Sequence, residues 1–246
     1  MSVRPKAAAT VIILRRREGQ PAEGFEVLMA LRSRRSKFVP GSYVFPGGAL
    51  DAEDCSPEME ALCRCIGRST AFAMLKGIPS PAMALGAWVA GIRETFEEVG
   101  LLLAYQSDHR ILSFENENAG RYQDYRTLLR QDKLTFREIL QKETLTLAVD
   151  RLHYYAHWIT PSFLPVRFDV RFFIAEAPVG QEASHDGVEL TDHLWITPQE
   201  ALQQYDADRF EMVYPTLMTM QALLPFRTIN EAIRAASEKT IVAEFG

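Results

Sequence analysis

Residues 93–101 read RETFEEVGL, and Glu94, Glu97 and Glu98 within them stand at i, i+3 and i+4. On a helix that spacing projects all three carboxylates from one side. Like charges so placed disfavour an isolated helix by about 0.2–0.5 kcal/mol per pair. Gly100 marks a helix end, which puts Glu97 and Glu98 at the negative end of the helix dipole. A misplaced charge there costs about 0.3–1 kcal/mol. Val89, Ile92, Phe96 and Val99 recur at 3-4-3 spacing, so the side away from the glutamates is expected to pack into a core. Taken alone, the acidic side reads as a solvated helix face. Its context differs: Arg93 heads the group, and a glycine-containing loop, PGGALDAED (46–54), follows a strand upstream. Three carboxylates facing one way form a hard-oxygen site suited to Mg2+ or Mn2+, and such a cation offsets the repulsion.

Working outward, strands are expected at 8–14, 25–32 and 42–45, separated by polar or Gly/Pro-containing turns. Ser56-Pro57 supplies a helix start, with a helix to residue 76, and Ser80-Pro81 starts the helix that carries the three glutamates. Residues 104–150 read as a mostly helical insertion, with helices at 122–131 and 136–143. Strands return at 154–159, 168–175 and 188–196, and helices at 198–204, 215–224 and 229–237. Interleaved strands and helices favour one α/β domain over residues 1–246, a mixed sheet covered by helices.

The chain has 246 residues, 47% of them hydrophobic and 24% charged, which is ordinary globular composition with ample material for a core. A net charge of −5 argues against a general electrostatic grip on nucleic acid. No apolar run approaches the roughly 20 residues of a membrane helix, so neither nucleic acid nor a membrane is an expected partner. The apolar N-terminal stretch runs into Arg15, Arg16 and Arg17 without a cleavage-like site, and Cys55, Cys63 and Cys65 fit a reducing compartment. A cytoplasmic protein is the expectation. No fourth ligand completes a zinc site from those cysteines.

These motifs resemble the Nudix hydrolase superfamily, whose signature is G-x5-E-x7-R-E-U-x-E-E-x-G-U with U a bulky apolar residue. The second half is present as Arg93, Glu94, Thr95, Phe96, Glu97, Glu98, Val99, Gly100 and Leu101, with Thr95 at the first U position. The first half is present as Gly47-Gly48, with Asp54 at the glutamate position and Glu53 beside it, either of which can stand in. Between Asp54 and Arg93 lie 38 residues where the signature has 7, an insertion of 31. The split box is similar to the coenzyme A diphosphatase branch. That branch carries an upstream pattern, L-L-T-x-R-S-x3-R-x3-G-x3-F-P-G-G, which Leu28, Met29, Ala30, Arg32, Ser33, Lys37, Gly41, Phe45, Pro46, Gly47 and Gly48 match with three replacements. HWITPSFLPVRFDVRFF (157–173) and ELTDHLWITPQEAL (189–202) resemble later segments of the same branch.

The resemblance implies a Nudix-type α/β/α sandwich with a mixed β-sheet and helical insertions at about 55–80 and 104–150. It implies water attacking a phosphorus of a small-molecule nucleotide substrate, coenzyme A or acyl-coenzyme A, with Mg2+ or Mn2+ as cofactor. ADP-ribose, NADH and other nucleoside diphosphate derivatives are the alternative substrates, and a catalytically silent binding module the alternative class. Glu97 and Glu98 are the implied metal ligands, with the Gly48 carbonyl; Glu94 is a third ligand or the base that orients water. Arg93 is expected to hold a box glutamate, and Glu189, with Asp186 its rival, to supply an extra catalytic carboxylate. Arg32, Lys37, Gly47 and Arg167 are the candidate substrate contacts. His153, His157, His185 and His193 lack a metal-binding spacing and are expected in packing or surface roles. The Met-rich tail PTLMTMQALLPF (215–226) suits core packing or pairing as a homodimer.

Overall fold

A computed structural model describes residues 4–17, 24–36, 38–114, 118–238 and 244–245; Lys37 lies outside them. In chain order the strands are β1 (Lys6–Arg16), β2 (Phe25–Arg32), β3 (Tyr43–Val44), β4 (Gly47–Ala49), β5 (Ala104–Tyr105), β6 (Thr146–Leu147), β7 (His153–Ile159), β8 (Phe168–Glu176), β9 (Leu190–Ile196) and β10 (Glu244–Phe245). The helices are α1 (Pro57–Glu60), α2 (Arg68–Met74), α3 (Pro81–Val99), α4 (Asn118–Arg130), α5 (Phe136–Lys142), α6 (Pro198–Asp206), α7 (Tyr214–Leu223) and α8 (Ile229–Ser237).

The main sheet is mixed. Strand β1 runs parallel to β8, while β1–β2, β7–β8 and β2–β9 are antiparallel. Its residues alternate between two cores, because successive side chains of a strand point to opposite faces. Ala9, Val11 and Ile13 of β1 and Leu28 and Ala30 of β2 face a core shared with α3. Ile12 and Leu14 of β1 and Val27 and Met29 of β2 face a second core built with Ala201, Met220, Leu223 and Ala232 from α6 to α8. The sheet is thus sandwiched between helical layers, as expected. Met220 of the tail is fully buried, so core packing accounts for its stripe.

Two expectations change. Residues 57–76 form two short helices rather than one, interrupted at Cys65, whose φ of +68° lies in the left-handed region and cannot continue a helix. The loop after Phe45 contains a strand, β4, which pairs antiparallel with the first half of β1 through Ala8–Ala49 and Thr10–Gly47. Both insertions pack on α3. Met59, Ala71, Leu75 and Ile78 of the first join its core, and the rings of Tyr122 and Phe136 in the second approach Phe96 to 6.4 and 6.2 Å. Arg137 of the second insertion forms an ion pair with Glu53, just ahead of the first. Among the described residues no helix is long and apolar enough to cross a membrane.

Candidate active site

Helix α3 is fixed at both ends. The Ser80 hydroxyl accepts from the Met83 N–H and Pro81 occupies the first turn. At the far end Gly100 adopts φ +76° and its N–H donates to the Phe96 carbonyl, the left-handed cap that glycine tolerates without strain. Between these ends the glutamate side does not face open water. Strand β4 lies over it, and the Gly47 N–H donates to Glu98 Oε2 at 2.8 Å. A Cβ at Gly48 would sit 2.5 Å from the Glu94 carboxylate, so any other residue there would displace that carboxylate from its present place. Glu98 is 6% exposed, whereas Glu94 and Glu97 are partly buried. The apolar and acidic sides of α3 are therefore both covered, one by core and the other by the glycine strand.

Arg93 organises the group. Its Nε and Nη2 bond both oxygens of Asp54 at 2.9 Å, a two-point fork, and Nη2 also donates to the Ala49 carbonyl at 3.0 Å. Its Nη1 reaches Glu94 at 2.8 Å and Glu97 at 3.3 Å. Of the two acids left open by the split box, Asp54 occupies the place against Arg93, and Glu53 turns to Arg137. The shorter aspartate reaches because the short 3-10 turn at Glu53–Cys55 places it beneath α3.

Electrostatics follow from this crowding. Burial, then Glu97 and Asp54, push the Glu94 carboxyl up to about 7 against the pull of Arg93. Burial raises Glu97 as well, and raises Glu98 well above the ordinary range, with Glu94 adding to it. Burial alone would lower Arg93, but its bonds to Asp54 raise it overall. Buried carboxylates that repel one another beside a glycine loop are a donor set that fits a hard divalent cation. The consequence is measurable without substrate. Between the ordinary carboxyl value of 4.5 and about 7, the folded chain retains a proton on Glu94 that the unfolded chain has released. The unfolding free energy then falls as pH rises, by roughly 3 kcal/mol in total above the window. Thermal melts in chelator should show this decline between pH 5 and 8, Glu94→Gln should make it shallower while Glu97 and Glu98 still contribute, and millimolar Mg2+ should reverse it at pH 8.

The other sequence-derived residues divide. Arg32, at the end of β2, places Nη2 3.6 Å from Glu189, its Nε donates to Ser36 Oγ, and its charge acts on Glu98. Glu189 precedes β9 in an exposed turn, where its N–H and those of Val188 and Leu190 donate to Asp186. Arg32 and Glu189 thus border the carboxylates. Gly47 commits its N–H to Glu98. Arg167 lies before β8, its Nε donating to the Thr160 carbonyl, outside this group. Sequence reasoning missed Arg126 of α4. It is buried, and burial draws its guanidinium down to about 10. It donates to the Glu97 carbonyl at 3.0 Å and to Ser184 Oγ and carbonyl at 2.8 and 2.9 Å, tying the end of α3 to the 184 loop. No local pattern marks that role.

A mixed sheet between helical layers, with a carboxylate helix under a glycine strand, is the Nudix arrangement. The family model described as the NUDT19 Nudix domain matches residues 5–223, and the chain belongs to that family. Acyl-coenzyme A diphosphatase NUDT19 of Xenopus laevis is 26% identical over 234 residues, covering 84% of this chain and 62% of the relative. The human protein of the same name is 26% identical over 240 residues, covering 86% and 64%. The chain therefore spans less than two thirds of the length of these relatives. A Nudix hydrolase structure from Alicyclobacillus acidocaldarius superposes with a TM-score of 0.76 at 24% identity, covering 99% of both chains, and shows the shared fold.

Proposed function

We propose that this chain hydrolyses the pyrophosphate of coenzyme A or acyl-coenzyme A, releasing a phosphopantetheine-type phosphate and 3′,5′-ADP. The observation that carries the reading is the convergence of Glu94, Glu97 and Glu98 under Gly47 and Gly48, with Arg93 clamped to Asp54. Family membership and the printed activity of the relatives support the substrate. Glu97 and Glu98, with the Gly48 carbonyl, would hold Mg2+ or Mn2+, which neutralises charge on the phosphate oxygens when bound. Glu94, with a carboxyl near neutrality, is suited to take the proton of the attacking water as a P–O bond forms and the anhydride P–O bond breaks. Arg93 acts at one remove, orienting Glu94 and Glu97. Arg32 would meet a substrate phosphate, and its 3.6 Å pairing with Glu189 at the border of the carboxylates supports that role.

The test measures release of 3′,5′-ADP from coenzyme A and acyl-coenzyme A with Mg2+, against hydrolysis of ADP-ribose and NADH. Discrimination of about tenfold or more in kcat/KM for the coenzyme A compounds is expected, since a site whose cation pairs with an extra phosphate disfavours analogues lacking it. Hydrolysis of ADP-ribose with none of coenzyme A would overturn the substrate assignment.

A further inference from the structure

We propose that His185, Asp192 and His193 form a second, transition-metal site that fixes the turn carrying Asp186 and Glu189. His185 Nδ1 and His193 Nδ1 face one another at 2.9 Å, their rings tilted by 52°, and the Asp192 carboxylate lies within 4.8 Å of both. Two imidazole nitrogens bound to one Zn2+ at its usual bond length, with angles from square to tetrahedral, stand about 2.9–3.4 Å apart. The pair is already at that separation.

The scaffold holds it there. His193 sits on β9 opposite Ala30 of β2, and its backbone N–H donates to Asp192 Oδ1 at 2.8 Å. His185 follows Ser184, whose N–H donates to the Val99 carbonyl at 2.9 Å and whose side chain and carbonyl are held by Arg126. It precedes Asp186, which caps the next turn by accepting three backbone N–H groups. The ligands therefore project from backbone secured on both sides. Asp192 is exposed, leaving room for water to complete the coordination.

Chemistry separates this site from the carboxylate group. Two imidazoles and one carboxylate suit Zn2+, Co2+ or Ni2+, whereas three carboxylates suit Mg2+ or Mn2+. A metal here would brace the turn whose Glu189 meets Arg32, so the second site would set the edge of the first. This inference does not depend on the substrate proposed above.

The test uses the full chain, stripped of metal and held in excess Mg2+, titrated with Co2+ by visible absorption and with Zn2+ by calorimetry. One equivalent is expected to bind wild type and the Glu97→Gln/Glu98→Gln variant alike. His185→Gln and His193→Gln should each weaken it by more than about 100-fold, beyond what changes to outer contacts cause. Asp192→Asn should weaken it less. Wild-type affinity in both histidine variants, or loss of the ion in the glutamine double variant, would overturn the proposal. If a histidine variant does not fold, imidazole NMR of the wild type decides. Two of the five histidines should shift at one equivalent of Zn2+, and no shift would overturn the proposal.

Discussion

Glu98→Gln is expected to lower kcat/KM by about 10³-fold, because the metal-ligand role proposed for Glu98 puts several kcal/mol of transition-state charge stabilisation on its carboxylate, at 1.36 kcal/mol per tenfold. The substitution is nearly isosteric. The amide oxygen can still accept from the Gly47 N–H, so strand β4 keeps its seat and only the charge is lost. The same change should raise the melting temperature of the metal-free protein. Glu98 is buried and repelled by Glu94, and removing a buried, raised carboxyl relieves the folded state. Activity and stability then move in opposite directions, as at a site where strain is kept for function. Glu189→Gln supplies the contrast. Its side chain is 62% exposed and pairs with Arg32 at 3.6 Å. About tenfold or less is expected, mostly in KM, since an exposed pair contributes about 0–1 kcal/mol. Steady-state kinetics and metal-free melts of the two variants check both directions; wild-type turnover in Glu98→Gln would remove that carboxylate from the chemistry.

The parts of this arrangement that were legible in the sequence are those written locally. RETFEEVGL carries its own spacing, and Ser80-Pro81 and Gly100 bound the helix by chemistry confined to one turn at each end. Strands β1 and β2 were visible because buried β-branched and apolar residues run through them with turns on either side. Strand β4 was not, since Gly47-Gly48-Ala49 has no side-chain pattern and exists only by pairing with β1, nearly 40 residues upstream. The choice of Asp54 over Glu53 was equally invisible: both are acids, and the turn that aims one at Arg93 and the other at Arg137 is a property of packing. His185 and His193 are eight residues apart with a capped turn and a strand start between them, a separation that matches no helical or strand ligand spacing. Arg126 meets Ser184 only through the folded loop, which no local period announces.

The second large effect concerns stability, and it is asymmetric across one ion pair. Arg93→Met should destabilise the protein by about 3–5 kcal/mol, the usual result of leaving a buried charge without its partner. The stranded groups here are Asp54, with a side chain 1% exposed, and the partly buried Glu94 and Glu97. In a domain of this size that corresponds to a fall of about 6–20 °C in melting temperature. Asp54→Asn should cost less, because Arg93 keeps its bonds to Glu94, Glu97 and the Ala49 carbonyl, and the amide can still accept from the guanidinium. Divalent cation discriminates further. Mg2+ should restore part of the stability lost in Arg93→Met, since a metal can neutralise the carboxylates that the arginine no longer reaches. In Asp54→Asn, where the three glutamates are undisturbed, Mg2+ should stabilise as much as it does wild type and leave the difference between the two unchanged. Equal losses in the two variants, unaffected by Mg2+, would mean that Arg93 serves only the Asp54 pair and does not hold the three glutamates in register.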